Sequence, residues 1–344
     1  MLALAACSTG NKSEPESEES DVEASASAAT IDQVPTASAS AIVSAAPPSP
    51  LAGSAIKRDI EWLAAPERRG RGSGTKDETA AREWIVAALK ETGLEPTEME
   101  FTFSRKRKSA NVIVNIEPLA APKKEAVMLG GHYDHVGVRD GEIYPGADDN
   151  GSGTAIILAM VRELVKRRAE FHRPIIVVFF GAEETGLDGS EALVARWDFK
   201  ARPIHTMVNI DMVGRPLLDQ PSLWFAAKLA GILPEIEQDR GIALVLPDKP
   251  GDLGVIARAT CAEEGVQVVT VDDLPQKYRK QVDYMSRGRS DHWGFQKKNI
   301  PFMFFSSAES TDYHAPTDTA DKIKPEIVER RARAFLRTVL KLAE

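Results

Sequence analysis

The chain has 344 residues, with 43 Lys+Arg against 51 Asp+Glu, a formal net charge of -8, and 43% apolar and 27% charged residues. That is ordinary globular composition. No apolar run approaches the roughly 20 residues a membrane span needs, and a mildly acidic chain is a poor general binder of nucleic acid.

The acidity is unevenly spread. Residues 1–55 hold one base, Lys12, and seven acids, and the first aromatic residue is Trp62. Residues 8–55 contain 11 Ser and 11 Ala, with Pro at 15, 35, 47, 48 and 50. Such a segment buries too little apolar surface to offset its chain entropy, so 8–55 reads as a disordered linker and 56–344 as the folded unit. Ahead of the linker, Leu4-Ala5-Ala6-Cys7 resembles the bacterial lipobox. The resemblance implies that residues 1–7 end a lipoprotein signal and that Cys7 carries the lipid, with the linker as a tether. The expected location is then the cell envelope, facing the periplasm or the exterior, with the membrane met only through Cys7. The second cysteine, Cys261, falls in a helical pattern and reads as a core residue. Two cysteines give neither a disulfide framework nor a thiolate metal cage.

From Ile56 onward the elements can be taken in order. Ile56–Ala65 and Lys76–Glu91 read as amphipathic helices, the second ending at Thr92-Gly93. Glu98–Phe103 and Ala110–Ile116 alternate like antiparallel strands. The basic run Arg105-Lys106-Arg107-Lys108 between them reads as a solvated hairpin turn. Four short apolar runs follow: Ala126–Leu129, Ile175–Phe180, Met207–Ile210 and Phe302–Phe305. They are too short for helices and lack alternation, as expected of strands buried on both faces. Helical patterns lie between or after them, at Thr154–Arg168, Asp188–Ala195, Asp252–Glu264 and Ile323–Leu342. This order predicts an α/β fold, a three-layer α/β/α sandwich with a mostly parallel or mixed central sheet. The polar stretch Thr270–Arg289 shows no period and reads as a long loop.

The chemistry sits just past the strands. Ala126–Leu129 leads to His132 and Asp134, Ile175–Phe180 to Glu183-Glu184, Met207–Ile210 to Asp211, and Phe302–Phe305 to His314. The turn before the third helix carries Asp148-Asp149-Asn150. Open α/β sheets bind ligands outside the carboxyl ends of their strands. One acid after a strand is commonly a cap; five ends that all deliver imidazole or carboxylate point to metal. Those donor types suit catalytic zinc, although cobalt and manganese tolerate them too. Two histidines and at least three carboxylates exceed what one ion needs, so a carboxylate bridging two ions is the economical reading. His132 and Asp134 are spaced for a carboxylate that fixes the tautomer of a ligand histidine. Of the adjacent Glu183 and Glu184, one can bind metal while the other takes a proton. His135 reads as a polar loop residue, and His172 and His205 as structural or surface groups. Ser290, Asp291 and His292 are too close in sequence for a triad, and Ser290 reads as a helix cap. Gly151-Ser152-Gly153 lacks the Lys of a phosphate loop.

The strings GGHYDHVG, PGADDNGSGTA, GAEETGLDGS, NIDMVG, SDHWGF and YHAPTDT closely resemble the co-catalytic di-zinc aminopeptidases of the secreted bacterial type. Their superfamily also holds glutamate carboxypeptidase II and the glutaminyl cyclases. The resemblance runs from about Ile56 to Glu344 in the family's order. It implies a zinc-peptidase fold, two zinc ions and a peptide substrate. Residue by residue, it implies that His132 and Asp211 hold one zinc, Glu184 and His314 the other, and Asp149 bridges them. It makes Glu183 the general base toward water activated between the ions, and Asp134 the residue orienting His132. The donor stabilising the oxyanion is left open between Tyr284, Arg287 and an upstream loop group. The implied activity is removal of N-terminal residues from peptides. The alternatives are a carboxypeptidase or glutaminyl cyclase of the same fold, or a lipid-anchored binding module without catalysis.

Overall fold

The computed structural model describes residues 49–344. Cys7 and the expected tether up to residue 48 lie outside the described residues. Residues 49–55, assigned to the tether by composition, are folded. Leu51 is buried, and Gly53–Leu63 forms helix α1. The reason is a close approach that composition does not register: a Cβ on Gly53 would lie 2.1 Å from the Pro325 carbonyl oxygen. The Gly53 amide also donates to Glu329 at 2.8 Å.

Helix α2 (Lys76–Lys90) starts at Thr75, whose hydroxyl oxygen accepts from the amides of Asp77 and Glu78. Strands β1 (Thr97–Thr102) and β2 (Lys108–Ile116) form the expected hairpin. Next come β3 (Ala126–His132) and a small hairpin of β4 (Gly137–Arg139) and β5 (Glu142–Tyr144). The chain continues through α3 (Gly153–Leu164), β6 (Ile175–Phe180), α4 (Asp188–Arg196) and β7 (Ile204–Ile210). It then forms α5 (Pro221–Leu229), β8 (Gly241–Val245), α6 (Leu253–Glu263) and β9 (Gln267–Val269). The last elements are α7 (Gln276–Ser286), α8 (His292–Lys297), β10 (Phe302–Ser306) and α9 (Pro325–Ala343). The stretch expected as one long loop, Thr270–Arg289, therefore contains α7.

One eight-stranded sheet runs β1-β2-β6-β3-β7-β10-β8-β9. Its centre, β6-β3-β7-β10, is parallel; the β2/β6 and β10/β8 pairings are antiparallel, so the sheet is mixed as expected. Both faces are covered. Ile175, Val177 and Phe179 of β6 join one core with α1, α2, α3, α6 and α9. Ile176, Val178 and Phe180 join the opposite core, against Leu193 and Val194 of α4 and Phe295 of α8. Two apolar faces explain why the central strands read as unbroken apolar runs. The three-layer α/β/α sandwich is thus observed, and the parallel strands β3, β6, β7 and β10 end along one rim.

Candidate metal centre

Backbone packing sets the position of His132. Strand β3 ends in Gly130-Gly131-His132, and a Cβ on Gly131 would lie 2.5 Å from the Ile210 carbonyl oxygen. Only glycine lets β3 and β7 approach this closely, which brings His132 to Asp211, the residue after β7. His132 Nε2 lies 3.3 Å from Asp211 Oδ1 and 3.4 Å from Asp149 Oδ1. On the other side, His314 Nε2 lies 3.2 Å from Asp149 Oδ2 and 3.0 Å from Glu184 Oε2. Asp149 therefore turns one oxygen to each histidine.

Asp149 is firmly held. The Asp318 carboxylate accepts the amides of Asp148 and Asp149 at 3.0–3.1 Å. Asn150 Nδ2 donates to the Ile210 carbonyl at 3.0 Å, and its Oδ1 accepts from the Met212 amide at 3.2 Å. These bonds staple the turn Ala147–Ser152 to the end of β7. Asp134 performs the equivalent task for the Glu183-Glu184 turn. Its carboxylate accepts the amides of Glu183 at 3.0 Å and Glu184 at 3.3 Å, and the Ser73 hydroxyl at 2.6 Å. The contact expected between that carboxylate and His132 Nδ1 is 3.8 Å long, and the ring nitrogen lies closer to the Asp134 main-chain oxygen, at 3.2 Å. Orientation of the imidazole thus runs mainly through the backbone. Ser290, expected as a helix cap, instead donates its hydroxyl to Asp211 Oδ2 at 2.7 Å and accepts from Asn209 Nδ2 at 2.6 Å. The turn carrying His314 is tied down at Asp312, which binds Arg215 at 3.0 Å and Lys322 and Thr317 at 2.6 Å.

The donor atoms fall into two groups, each within 4.8 Å: His132, Glu183 and Asp211, and His135, Asp149, Glu184 and His314. The second includes a residue that sequence reasoning set aside. His135 is fully buried, and its Nδ1 lies 2.8 Å from Glu184 Oε1. Tyr313 was also missed. Its ring stacks on His314 at 4.0 Å between centroids. Two of the groups named as possible oxyanion donors lie at the surface. Tyr284 is 77% exposed, and Arg287 is paired at the surface with Asp283 and Asp248. The only signal for Tyr313 is its place beside His314. His292 is slotted between Phe302 and Phe304, where burial pushes its pKa down to about 3. It is a neutral core histidine, not part of a triad.

Crowded charge shapes the titration. Burial, joined by Glu184, Asp291 and Asp211, holds the Glu183 carboxyl well above the usual range, against the pull of His132. Burial also pushes Glu184 upward, but His135 and His314 overcome it and hold that carboxyl well below. Burial opposes protonation of His314, yet Asp149 and Glu184 bring its pKa up to about 10. Burial and the carboxylates of Asp149, Glu184, Glu183 and Asp211 keep the proton on the Tyr313 hydroxyl.

The residues fit metal. Both ring nitrogens of His135 and the Glu184 Oε1 atom are buried without a properly aligned hydrogen bond. Buried polar atoms rarely go unpaired, and convergent imidazole and carboxylate donors are zinc chemistry.

A mixed sheet with helices on both faces and two abutting donor groups at its strand ends defines a class, the metallohydrolase type of α/β sandwich. The chain belongs to peptidase family M28, which matches residues 111–227 and 254–339, more than half of it. Among curated relatives, a probable leucine aminopeptidase of Arthroderma otae is 30% identical over 176 residues, covering 46% of this chain and 44% of that protein. Leucine aminopeptidase 1 of Ajellomyces capsulatus is 31% identical over 137 residues, covering 38% of this chain and 36% of that protein. The chain thus spans less than half the length of these relatives. The fold is shared with BSAP, a zinc aminopeptidase from Bacillus subtilis (TM-score 0.65, 16% identity, 86% of this chain and 96% of that one). It is shared also with a Porphyromonas gingivalis glutaminyl cyclase (TM-score 0.60, 18% identity, 84% and 98%).

Proposed function

We propose that this chain is a zinc-dependent exopeptidase, an aminopeptidase that removes N-terminal residues from peptides with two zinc ions. The observation that carries the reading is Asp149, whose two oxygens face different histidines while the high-pKa Glu183 stands beside them. His132 and Asp211 would hold one ion, Glu184 and His314 the other, with Asp149 shared. Zinc there supplies Lewis-acid polarisation of the scissile carbonyl and acidifies water. Glu183 takes a proton from the attacking water and passes it to the leaving amine. Asp134 positions Glu183 and Glu184 through their amides, and Ser290 positions Asp211. The names of the curated relatives support the amino-end reading, as does a complete donor set against a purely binding role.

Glu183→Gln tests this directly. Elemental analysis should still find two zinc ions per chain, while turnover of aminoacyl-nitroanilides falls by at least about a hundredfold. Near-parental turnover would sink the assignment. A panel of free and N-blocked peptides reports which end is read, and cleavage of blocked peptides alone would reject the aminopeptidase reading.

We further propose that Cys7 is lipidated and anchors the enzyme to the cell envelope, on the strength of Leu4-Ala5-Ala6-Cys7 and the polar segment behind it. None of the described helices is long and apolar enough to cross a membrane. Metabolic labelling with a radioactive fatty acid should mark the parent protein and not Cys7→Ser. Equal labelling of both would reject the anchor.

A further inference from the structure

We infer that His135 is a fourth protein ligand of the Glu184–His314 ion, making that site closed while the His132–Asp211 site keeps an open position. The inference rests on the metal-binding part of the proposed function and goes beyond the donor set assigned there.

Three observations carry it. The first is the contact with Glu184. His135 Nδ1 lies 2.8 Å from Glu184 Oε1 and 3.7 Å from Asp149 Oδ2, yet Nδ1 and Oε1 are not aligned as donor and acceptor. Two polar atoms this close and not aimed at each other are arranged like ligands converging on a third atom. His314 Nε2 keeps similar distances to the same two carboxylates, 3.0 and 3.2 Å.

The second is the cost of the alternative. Leaving a buried ring nitrogen unpaired costs about 1–3 kcal/mol. The other buried histidine with two unpaired nitrogens, His292, lies between Phe302 and Phe304, whereas the His135 ring faces the carboxylates of Glu184 and Asp149. The His135 ring has neither nitrogen satisfied, although its amide donates to the Arg71 carbonyl at 3.2 Å. The ring meets two carboxylates out of hydrogen-bond alignment, and a cation between them would satisfy all three groups.

The third is preorganisation. Gly146 sits against the His135 ring, where a Cβ would come within 2.5 Å of Cγ and Cδ2, and its φ of +62 admits glycine with least strain. The buried Arg71 guanidinium donates to the carbonyls of Tyr133 at 2.9 Å, Pro145 at 2.7 Å and Gly146 at 2.9 Å. One side chain thus fixes both segments that hold the imidazole in place. A surface or loop histidine needs no such mounting, whereas metal ligands do.

The chemical consequence is asymmetry. Four protein donors, His135, Asp149, Glu184 and His314, match the ligand count of a closed zinc site, and His132, Asp211 and Asp149 match the three of an open one. The closed site should bind more tightly, leaving water and substrate to be met at the other.

Zinc K-edge X-ray absorption on the parent protein, loaded with a single equivalent of zinc, reads the imidazole count without any variant. Two imidazoles per zinc are expected, from His135 and His314, and a single imidazole overturns the inference. Zinc affinity by chelator competition supplies the second arm. His135→Ala and His135→Asn should weaken the tighter site by at least about tenfold, on the scale of losses seen when metal-site groups are removed. Circular dichroism must first show both variants folded. Affinities within twofold of the parent in a folded variant overturn the inference. A parent protein that binds no zinc overturns this and the proposed function together. Two imidazoles in a protein without peptidase activity would leave His135 a ligand and remove only the hydrolytic reading.

Discussion

At the residue scale, the site separates into groups that announce themselves and groups that do not. His132, Glu183, Glu184 and Asp211 each follow a short apolar run, so strand position and chemistry coincide in the sequence. Asp149 and His314 follow from their strings. Tyr313 and Ser290 carry no comparable mark. Ser290 reaches Asp211 across a sequence gap of 79 residues, and only the fold reveals the contact. Tyr313 becomes notable because its ring stacks on His314, and burial together with four carboxylates keeps its hydroxyl protonated. A neutral hydroxyl on a residue packed against His314 can donate to charge developing on a carbonyl oxygen. Tyr313→Phe should therefore lower kcat by about a hundredfold, the usual cost of deleting one such donor, with zinc content unchanged. Loss of zinc in that variant would mean that Tyr313 serves by packing on His314, and unchanged kcat would remove it from the reaction.

At the scale of elements, the legible parts are those with a strong apolar signature. Strand β6, Ile175–Phe180, coincides with its expected span, and α3, α6 and α9 begin or end within a few residues of theirs. Weakly buried elements were missed. None of the described side chains of helix α7 is buried to set a period, α5 leaves Phe225 and Leu229 exposed, and β9 has three residues at the sheet edge. The decisive detail in β3 is also steric rather than periodic. A Cβ on Gly131 would press on the Ile210 carbonyl, part of the backbone that the Asn150 side chain grips. Gly131→Ala should force β3 and β7 apart and lower stability by about 1–3 kcal/mol, the range for overpacking a tight interior. Thermal unfolding measures this. An unchanged midpoint would show that the strands slide apart without cost, and that the glycine is not what sets the His132–Asp211 distance.

At the scale of the molecule, the net charge of -8 conceals a local concentration of acid. Residues 1–55 account for most of it, and the near-neutral remainder buries Asp134, Asp148, Asp149, Asp211, Asp291 and Asp318 near one rim of the sheet. Mutual repulsion and burial leave their mark in the metal-free protein. Burial first, then neighbouring carboxylates, raise Asp148, Asp291 and Glu78 to about 7. Each raised carboxyl favours the folded state most below its unfolded pKa near 4, and that contribution is lost as pH rises through about 7. His314, raised to about 10, acts in the same direction: its contribution is full below 6.5 and lost toward 10. The protein stripped by chelator should therefore gain stability as pH falls from 8 to 5. His292, at about 3, and His205, also lowered chiefly by burial, pull the other way, because a depressed histidine pKa makes the fold lose stability as pH falls below 6.5. Zinc should reverse the slope. Held by Asp149, Glu184 and Asp211, it would offset negative charge in the same rim without protons, and acidification should displace it by protonating its ligands. The loaded protein should unfold at a higher temperature at pH 8, since free zinc at a hundred times Kd adds about 2.7 kcal/mol per site, and it should lose that advantage toward pH 5. Differential scanning calorimetry with chelator or with excess zinc, from pH 5 to 8, resolves the two curves. If they run parallel, zinc does not neutralise this acidic rim, and the assignment of Asp149, Glu184 and Asp211 as its ligands fails with it.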